Sequence, residues 1–240
     1  MSATAILSPP KPPIPTGIPG LEVAVASRAA GSGEQVSGDF YDMFEIGPGD
    51  WMVAIGDVSG KGFDAAVLTV LVRETIREAA LANPQPSLVL GSLNHGLLRR
   101  RTTRFCTAAL IRLRRTGDCW KATLSLGGHP RPLLLEAGAP NPIAIGRPGT
   151  LIGAVAVAEY HDRDILLTPG TQIVLYTDGV CEARREKEFY GEDRLRALIA
   201  SRSDSAATTT GAVLDDVVAF QSGQPRDDIA VLVLRVPDQR

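Results

Sequence analysis

The chain has 240 residues, enough for one large domain or two small ones, and its 25 Lys and Arg nearly balance 27 Asp and Glu. That balance leaves no global field to draw in nucleic acid or an anionic membrane surface, and no apolar run approaches the roughly 20 residues that a bilayer crossing needs. The N-terminus lacks a basic stretch followed by an apolar one, so the expectation is a cytoplasmic protein that engages neither membrane nor nucleic acid.

Residues 1–20 are expected to form an arm, because 8–20 read Ser-Pro-Pro-Lys-Pro-Pro-Ile-Pro-Thr-Gly-Ile-Pro-Gly, an extended polyproline-like composition with no core of its own. The folded domain is placed at 21–237. Residues 21–27 alternate as a half-buried strand does, and 51–55 read as a fully buried one. From Asp64 the period changes: Val67, Leu68, Leu71, Val72, Thr75, Ile76 and Ala79 recur at three- and four-residue steps, which predicts a helix capped by Asp64 and ending near Asn83-Pro84. A second helix over about 86–101, with Leu88, Leu90, Leu93, Leu97 and Leu98 apolar, packs antiparallel to it. Arg99-Arg100-Arg101 with Arg104 reads as a solvated helix end.

Residues 105–113 and 120–126 predict a hairpin turning at Thr116-Gly117-Asp118, in a register that puts Cys106 near Gly127 and Cys119 near Arg114. No disulfide is therefore expected between them. With Cys181, the three cysteines show no CxxC spacing and indicate no zinc knuckle. Strands follow at 133–136, 164–168, 172–176 and 229–236, helices near 193–201 and 212–221, and a polar loop at 201–211. Strands joined by hairpins with helices inserted in pairs predict an α+β fold with mostly antiparallel sheet.

Four separated segments carry the chemistry: Ser37-Gly38-Asp39-Phe40-Tyr41-Asp42, Gly56-Asp57-Val58-Ser59-Gly60-Lys61-Gly62, Tyr176-Thr177-Asp178-Gly179 and Arg226-Asp227-Asp228-Ile229. Three adjoin apolar runs of strand length, an arrangement that brings distant carboxylates together. Such a cluster is costly unless a cation sits among its oxygens. The second segment is not a P-loop, since only three residues separate Gly56 from Gly60-Lys61 and Gly62 follows in place of Ser or Thr. Nor is it a nucleophile elbow. What remains is a carboxylate at a strand tip beside glycines that free backbone carbonyls, a donor set suited to a hard divalent cation. Asp39 and Asp42 lie on opposite faces of a strand, and at most one of Asp227 and Asp228 faces a given site.

In their order and wording these segments, with Glu182-Ala183 and the terminal Asp-Asp-Ile-Ala-Val-Leu-Val-Leu, resemble the motifs of bacterial PPM-type serine/threonine phosphatases of the SpoIIE-like branch, from about Leu21 to Val236. The resemblance implies a four-layer αββα sandwich, two mostly antiparallel sheets flanked by helix pairs. It implies two Mn²⁺ or Mg²⁺ ions bridged by Asp57, with the Val58 carbonyl on the first, Asp178 and Asp227 on the second, Asp39 ordering metal-bound water, and room for a weaker third ion. Asp57, Asp178 and Asp227 would then act through metal-activated water, a hydroxide between the ions attacking a phosphoserine or phosphothreonine ester. Asp42 and Asp228 are read as structural.

The implied partners are a phosphorylated protein, an anti-sigma-factor antagonist in some family members, and a sensor or regulator acting in trans in signal transduction or stress response; a homodimer is compatible with the reading. A module of the same fold that binds phosphoproteins without turnover is the alternative. The sequence departs from eukaryotic relatives at Gly33-Glu34-Gln35, where those carry a phosphate-binding arginine, and at Ser59, where they carry a histidine. Lys61 is an electrostatic aid on this reading. His129 in Gly127-Gly128-His129-Pro130 reads as a structural, hydrogen-bonded residue, and His95 and His161 have no ligand-spaced partner.

Overall fold

The computed structural model describes residues 17–30, 37–100 and 102–238. The proline-rich stretch up to residue 16, Gly33-Glu34-Gln35 and Arg101 lie outside them. In chain order the elements are β1 (Glu22–Arg28), β2 (Asp39–Gly47), β3 (Asp50–Val58), α1 (Phe63–Ala82), α2 (Pro86–Arg99), β4 (Cys106–Thr116), β5 (Cys119–Gly127), β6 (Leu133–Leu135), β7 (Ile143–Ala144), β8 (Arg163–Leu167), β9 (Gln172–Tyr176), α3 (Asp178–Cys181), β10 (Arg184–Arg185), β11 (Glu188–Phe189), α4 (Gly191–Ser201), α5 (Ala206–Phe220) and β12 (Ile229–Arg235).

Two five-stranded sheets, β2-β3-β4-β5-β8 and β1-β12-β9-β6-β7, are antiparallel at every pairing. Alternation along β3 explains how they stack. Val53 and Ile55 face a core shared with Ile173, Leu175, Leu232 and Leu234 of the other sheet. Met52, Ala54 and Val58 face a second core with Val72, Ile76, Leu90 and Leu93 of α1 and α2. On the far side, Val174, Tyr176, Val231 and Val233 meet Leu195, Ile199, Val213 and Val217 of α4 and α5. Three cores separate four layers, the αββα sandwich, and each fully buried Leu or Ile adds about 1.5–3 kcal/mol to its cohesion.

Several expectations are corrected by the packing. Ile18 belongs to the sheet–sheet core, held by a turn in which the Leu21 amide donates to its carbonyl, so packing begins inside the expected arm. Asp64 sits in the first turn of α1 and caps nothing; the helix starts after Gly62, whose φ of +87° turns the chain without a side-chain cap. The α1 stripe keeps Leu68, Val72 and Ile76 as expected but takes in Ala65 and leaves Val67 about half exposed, and on α2 the expected Leu88 is about half exposed.

The β4–β5 hairpin closes on a two-residue loop, Gly117-Asp118, pairing Thr116 with Cys119 and shifting the register by two residues. Cys106 instead bridges to Ile152, and all three cysteines are free. The expected polar loop ends at Ser205, whose Oγ accepts from the Thr208 amide and starts α5 early. Thr209 and Thr210 satisfy their hydroxyls on the Ser205 and Ala206 carbonyls, so a polar stretch sits inside a helix.

Candidate functional site

Cross-strand register assembles the first half of the site. Asp39 on β2 lies opposite Asp57 on β3, which lies opposite Thr107 on β4. Opposed residues of antiparallel strands share a face, and this one is the face of Val53 and Ile55, turned to the other sheet. The other sheet supplies the second half from the same end, since Thr177 and Asp178 follow β9 and Asp227-Asp228 precede β12. The acids therefore converge at one mouth of the seam between the sheets.

Hydrogen bonds tie that mouth together. Thr177 Oγ1 donates to Asp39 Oδ2 at 2.9 Å and accepts from the Ala230 amide at 2.9 Å. Asp228 accepts from the Ala30 amide at 2.8 Å and the Gly38 amide at 3.2 Å, which makes it a structural clasp between the sheets. Gly179 packs so closely on the Asp228 carbonyl that a Cβ would fall 1.9 Å from it.

The charges are crowded. Burial first, then Asp178, Asp227 and Asp228, push the Asp57 carboxyl from 3.8 up to about 7. Asp39 is raised well above the ordinary range by burial and then by Asp57, against the lowering effect of Thr177. Asp178 is raised by burial and by Asp227. A site that holds carboxylates against their own repulsion favours a bound cation.

Gly38 lies against the candidate donor oxygens. A Cβ on Gly38 would lie 2.5 Å from Asp57 Oδ1, 2.5 Å from the Val58 carbonyl oxygen and 3.4 Å from that of Gly60. A carboxylate and two backbone carbonyls thus gather beside Gly38, a cradle of hard oxygens of the kind that Mg²⁺ and Mn²⁺ take as ligands. Among the described residues no three Asp, Glu, His or Cys side chains already stand in ligand geometry. Asp227 is turned to Lys61, with Nζ 3.4 Å from its Oδ1, in a pair whose side chains are both about half exposed. The donor chemistry suits the ion, and the exposed Asp227 carboxylate would have to leave Lys61 to join it.

The other candidates separate cleanly. Asp42 is buried and salt-bridged by Arg77, 2.7 Å from Nε to Oδ2 and 2.6 Å from Nη2 to Oδ1, on the helix side of β2 away from the seam. His129 is buried with Nδ1 2.9 Å from Thr107 Oγ1, and burial pushes it down to about 3, so the ring is neutral and structural. His161 faces Glu159 at 3.6 Å, away from the acids.

Arg104 corrects the reading of the arginine run. It leaves the helix end and donates Nη1 to the Ser59 carbonyl at 2.7 Å. Thr177, Arg104 and the Gly60 carbonyl were not anticipated. Thr177 stands inside a quoted motif, but nothing local in the sequence predicts the partners of the other two.

A family model described as Stage II sporulation protein E (SpoIIE) matches residues 47–237. The chain is 27% identical over 203 residues, 84% of its length, to the phosphoserine phosphatase RsbU of Bacillus subtilis (strain 168), and spans 60% of that relative's own length. Among solved structures it is similar to the RsbU and RsbW domains of Rv1364c from Mycobacterium tuberculosis, at TM-score 0.76 and 23% identity over 92% of this chain and 62% of that one. It is likewise similar to the PP2C phosphatase domain and regulatory fragment of SpoIIE from Bacillus subtilis, at TM-score 0.75 and 18% identity over 90% of this chain and 63% of that one.

Proposed function

The chain belongs to the SpoIIE family, and on that premise we propose that it is a metal-dependent serine/threonine protein phosphatase that hydrolyses phosphoserine or phosphothreonine in a partner protein. The observation that carries this reading is the cradle at Gly38, where Asp57 Oδ1 and the Val58 and Gly60 carbonyls meet among acids drawn from both sheets. Asp57 would be shared by two Mn²⁺ or Mg²⁺ ions, with the Val58 carbonyl on one and Asp178 and Asp227 on the other. When bound, such ions supply Lewis-acid charge and a water acidic enough to be deprotonated near neutral pH.

The chain's own groups do the rest. Three ligating aspartates against two divalent ions leave about one positive charge, matched to a phosphate dianion. Thr177 fixes the Asp39 carboxylate so that it can orient water or a weaker third ion at the mouth. Asp228 keeps the two sheets in register across the site, and Lys61 adds a cation at its exposed edge. His129, neutral and committed to Thr107, is not the leaving-group acid. The relative named a phosphoserine phosphatase supports the substrate class. An anti-sigma-factor antagonist as the phosphoprotein, and a sensor in trans, follow only from family likeness.

The test is hydrolysis of p-nitrophenyl phosphate and of a phosphoserine peptide with Mn²⁺, with and without chelator, by wild type and Asp57→Asn. Turnover that needs the metal and is lost in the variant is expected. Folded protein that binds phosphopeptide but turns over neither substrate would instead identify a non-enzymatic binding module.

A further inference from the structure

We propose that Arg104 is a positioning residue for the oxygen cradle, an inference that rests on the two-metal reading above. Every polar group of Ser59 is held by residues 104 and 105. Its amide donates to the Phe105 carbonyl at 2.9 Å, its Oγ accepts from the Phe105 amide at 3.0 Å, and its carbonyl accepts from Arg104 Nη1 at 2.7 Å. With the Ser59 carbonyl drawn outward to the guanidinium, the carbonyls on either side of it, Val58 and Gly60, turn to the point beside Gly38. The Val58 amide is fixed in turn on the Gly38 carbonyl at 3.1 Å.

The glycine after Ser59 is part of the same device. Gly60 has φ +94°, and a Cβ there would lie 1.8 Å from Arg104 Nη1, so the guanidinium occupies the space a side chain would take. Ser59 has its hydroxyl committed to the Phe105 amide and is structural. A guanidinium next to a cation site is electrostatically unfavourable. Its presence there is explained by geometry: a planar fork can grip one carbonyl while lying against a glycine, which an ammonium does less well.

The two roles predict opposite signs. If Arg104 acted only as a charge, removing it would tighten cation binding; if it sets the carbonyls, removing it loosens the site. Isothermal titration of Mn²⁺ into the full chain decides. Arg104→Met is expected to weaken Mn²⁺ binding by roughly tenfold or more, as loss of a ligand-orienting partner does, and Arg104→Lys to recover part of it. Gly60→Ala, whose methyl group displaces the guanidinium, should weaken binding as Arg104→Met does. With p-nitrophenyl phosphate, excess Mn²⁺ should restore much of kcat in Arg104→Met while KM stays close to wild type.

Unchanged or tighter Mn²⁺ binding by both Arg104→Met and Arg104→Lys would overturn the inference and leave the two-metal reading standing. Wild-type protein that takes up no Mn²⁺ would overturn both.

Discussion

Replacing Gly38 by alanine perturbs the oxygen cradle directly. Gly38 does not have a positive φ, so alanine suits its backbone, and the exchange of Gly for Ala favours folding by about 0.4–1 kcal/mol through the unfolded chain. The added methyl, however, would stand 2.5 Å from both Asp57 Oδ1 and the Val58 carbonyl oxygen, where 3.0 Å is the closest a Cβ tolerates, so each oxygen must retreat by at least 0.5 Å. Metal–oxygen distances tolerate only about 0.2 Å. Misplacement approaching 1 Å costs on the order of 100-fold in rate. The expected result is a kcat/KM for p-nitrophenyl phosphate lowered about 100-fold, about 2.7 kcal/mol of transition-state stabilisation, with weaker Mn²⁺ binding and a lower metal-free Tm, because one of the displaced oxygens belongs to the backbone. Alanine at 38 with wild-type Mn²⁺ affinity and wild-type turnover would refute the assignment of these two oxygens as a ligand pair.

Asp42→Ala strips Arg77 of its buried partner and should lower stability in urea by about 3 kcal/mol while leaving the rate per folded molecule unchanged, since Asp42 lies on the far face of β2. Thr177→Val leaves the Ala230 amide without its acceptor and Asp39 without its donor. A loss of about 2 kcal/mol is expected by thermal denaturation, and a stability equal to wild type would show that the Thr177 link is idle. In chelator, stability should fall as pH rises from 6.5 to about 7 and level off above it. Asp57, held up to about 7 against 3.8 unfolded, keeps a proton in the folded state that the unfolded chain has already lost. His129, held down at about 3, contributes the opposite slope, but that slope fades above its ordinary value of 6.5. A metal-free Tm that climbs as pH rises from 6.5 to 7 would contradict the raised carboxyl.

The strongly periodic stretches were legible: β9 runs over 172–176 as expected, and α1 ends at Ala82, just before Asn83-Pro84. So were the acidic segments at strand tips, because Asp57 and Asp228 directly adjoin apolar runs. Missed elements owe their existence to partners. The two-residue strand β7 is defined by pairing with β6, and β10 with β11 only by each other, too little sequence to carry a period. The threonines at 208–210 have low helix propensity, yet Ser205 caps them into α5, where back-bonding absorbs their hydroxyls. Arg104 reads as the tail of a basic run because its carbonyl partner lies 45 positions upstream. Strand alternation allowed only one of Asp227 and Asp228 to face a given site, and the resemblance alone gave the ligand role to Asp227; the structure turns Asp228 in to the Ala30 and Gly38 amides and Asp227 out to Lys61, an orientation that no local sequence signal reveals.

The last strand, β12, lies between β1 and β9, in the interior of its sheet, and the Asp227-Asp228 pair immediately precedes it. On the ribosome, Asp39 and Asp57 therefore emerge long before the strand that completes their opposite wall. Until residues 227–235 have been made, β1 and β9 have nothing between them and the acidic mouth lacks Asp227 and Asp228. A nascent chain therefore holds the Asp39 and Asp57 half of the mouth well before β12 slots between β1 and β9 and brings Asp227 and Asp228 to it.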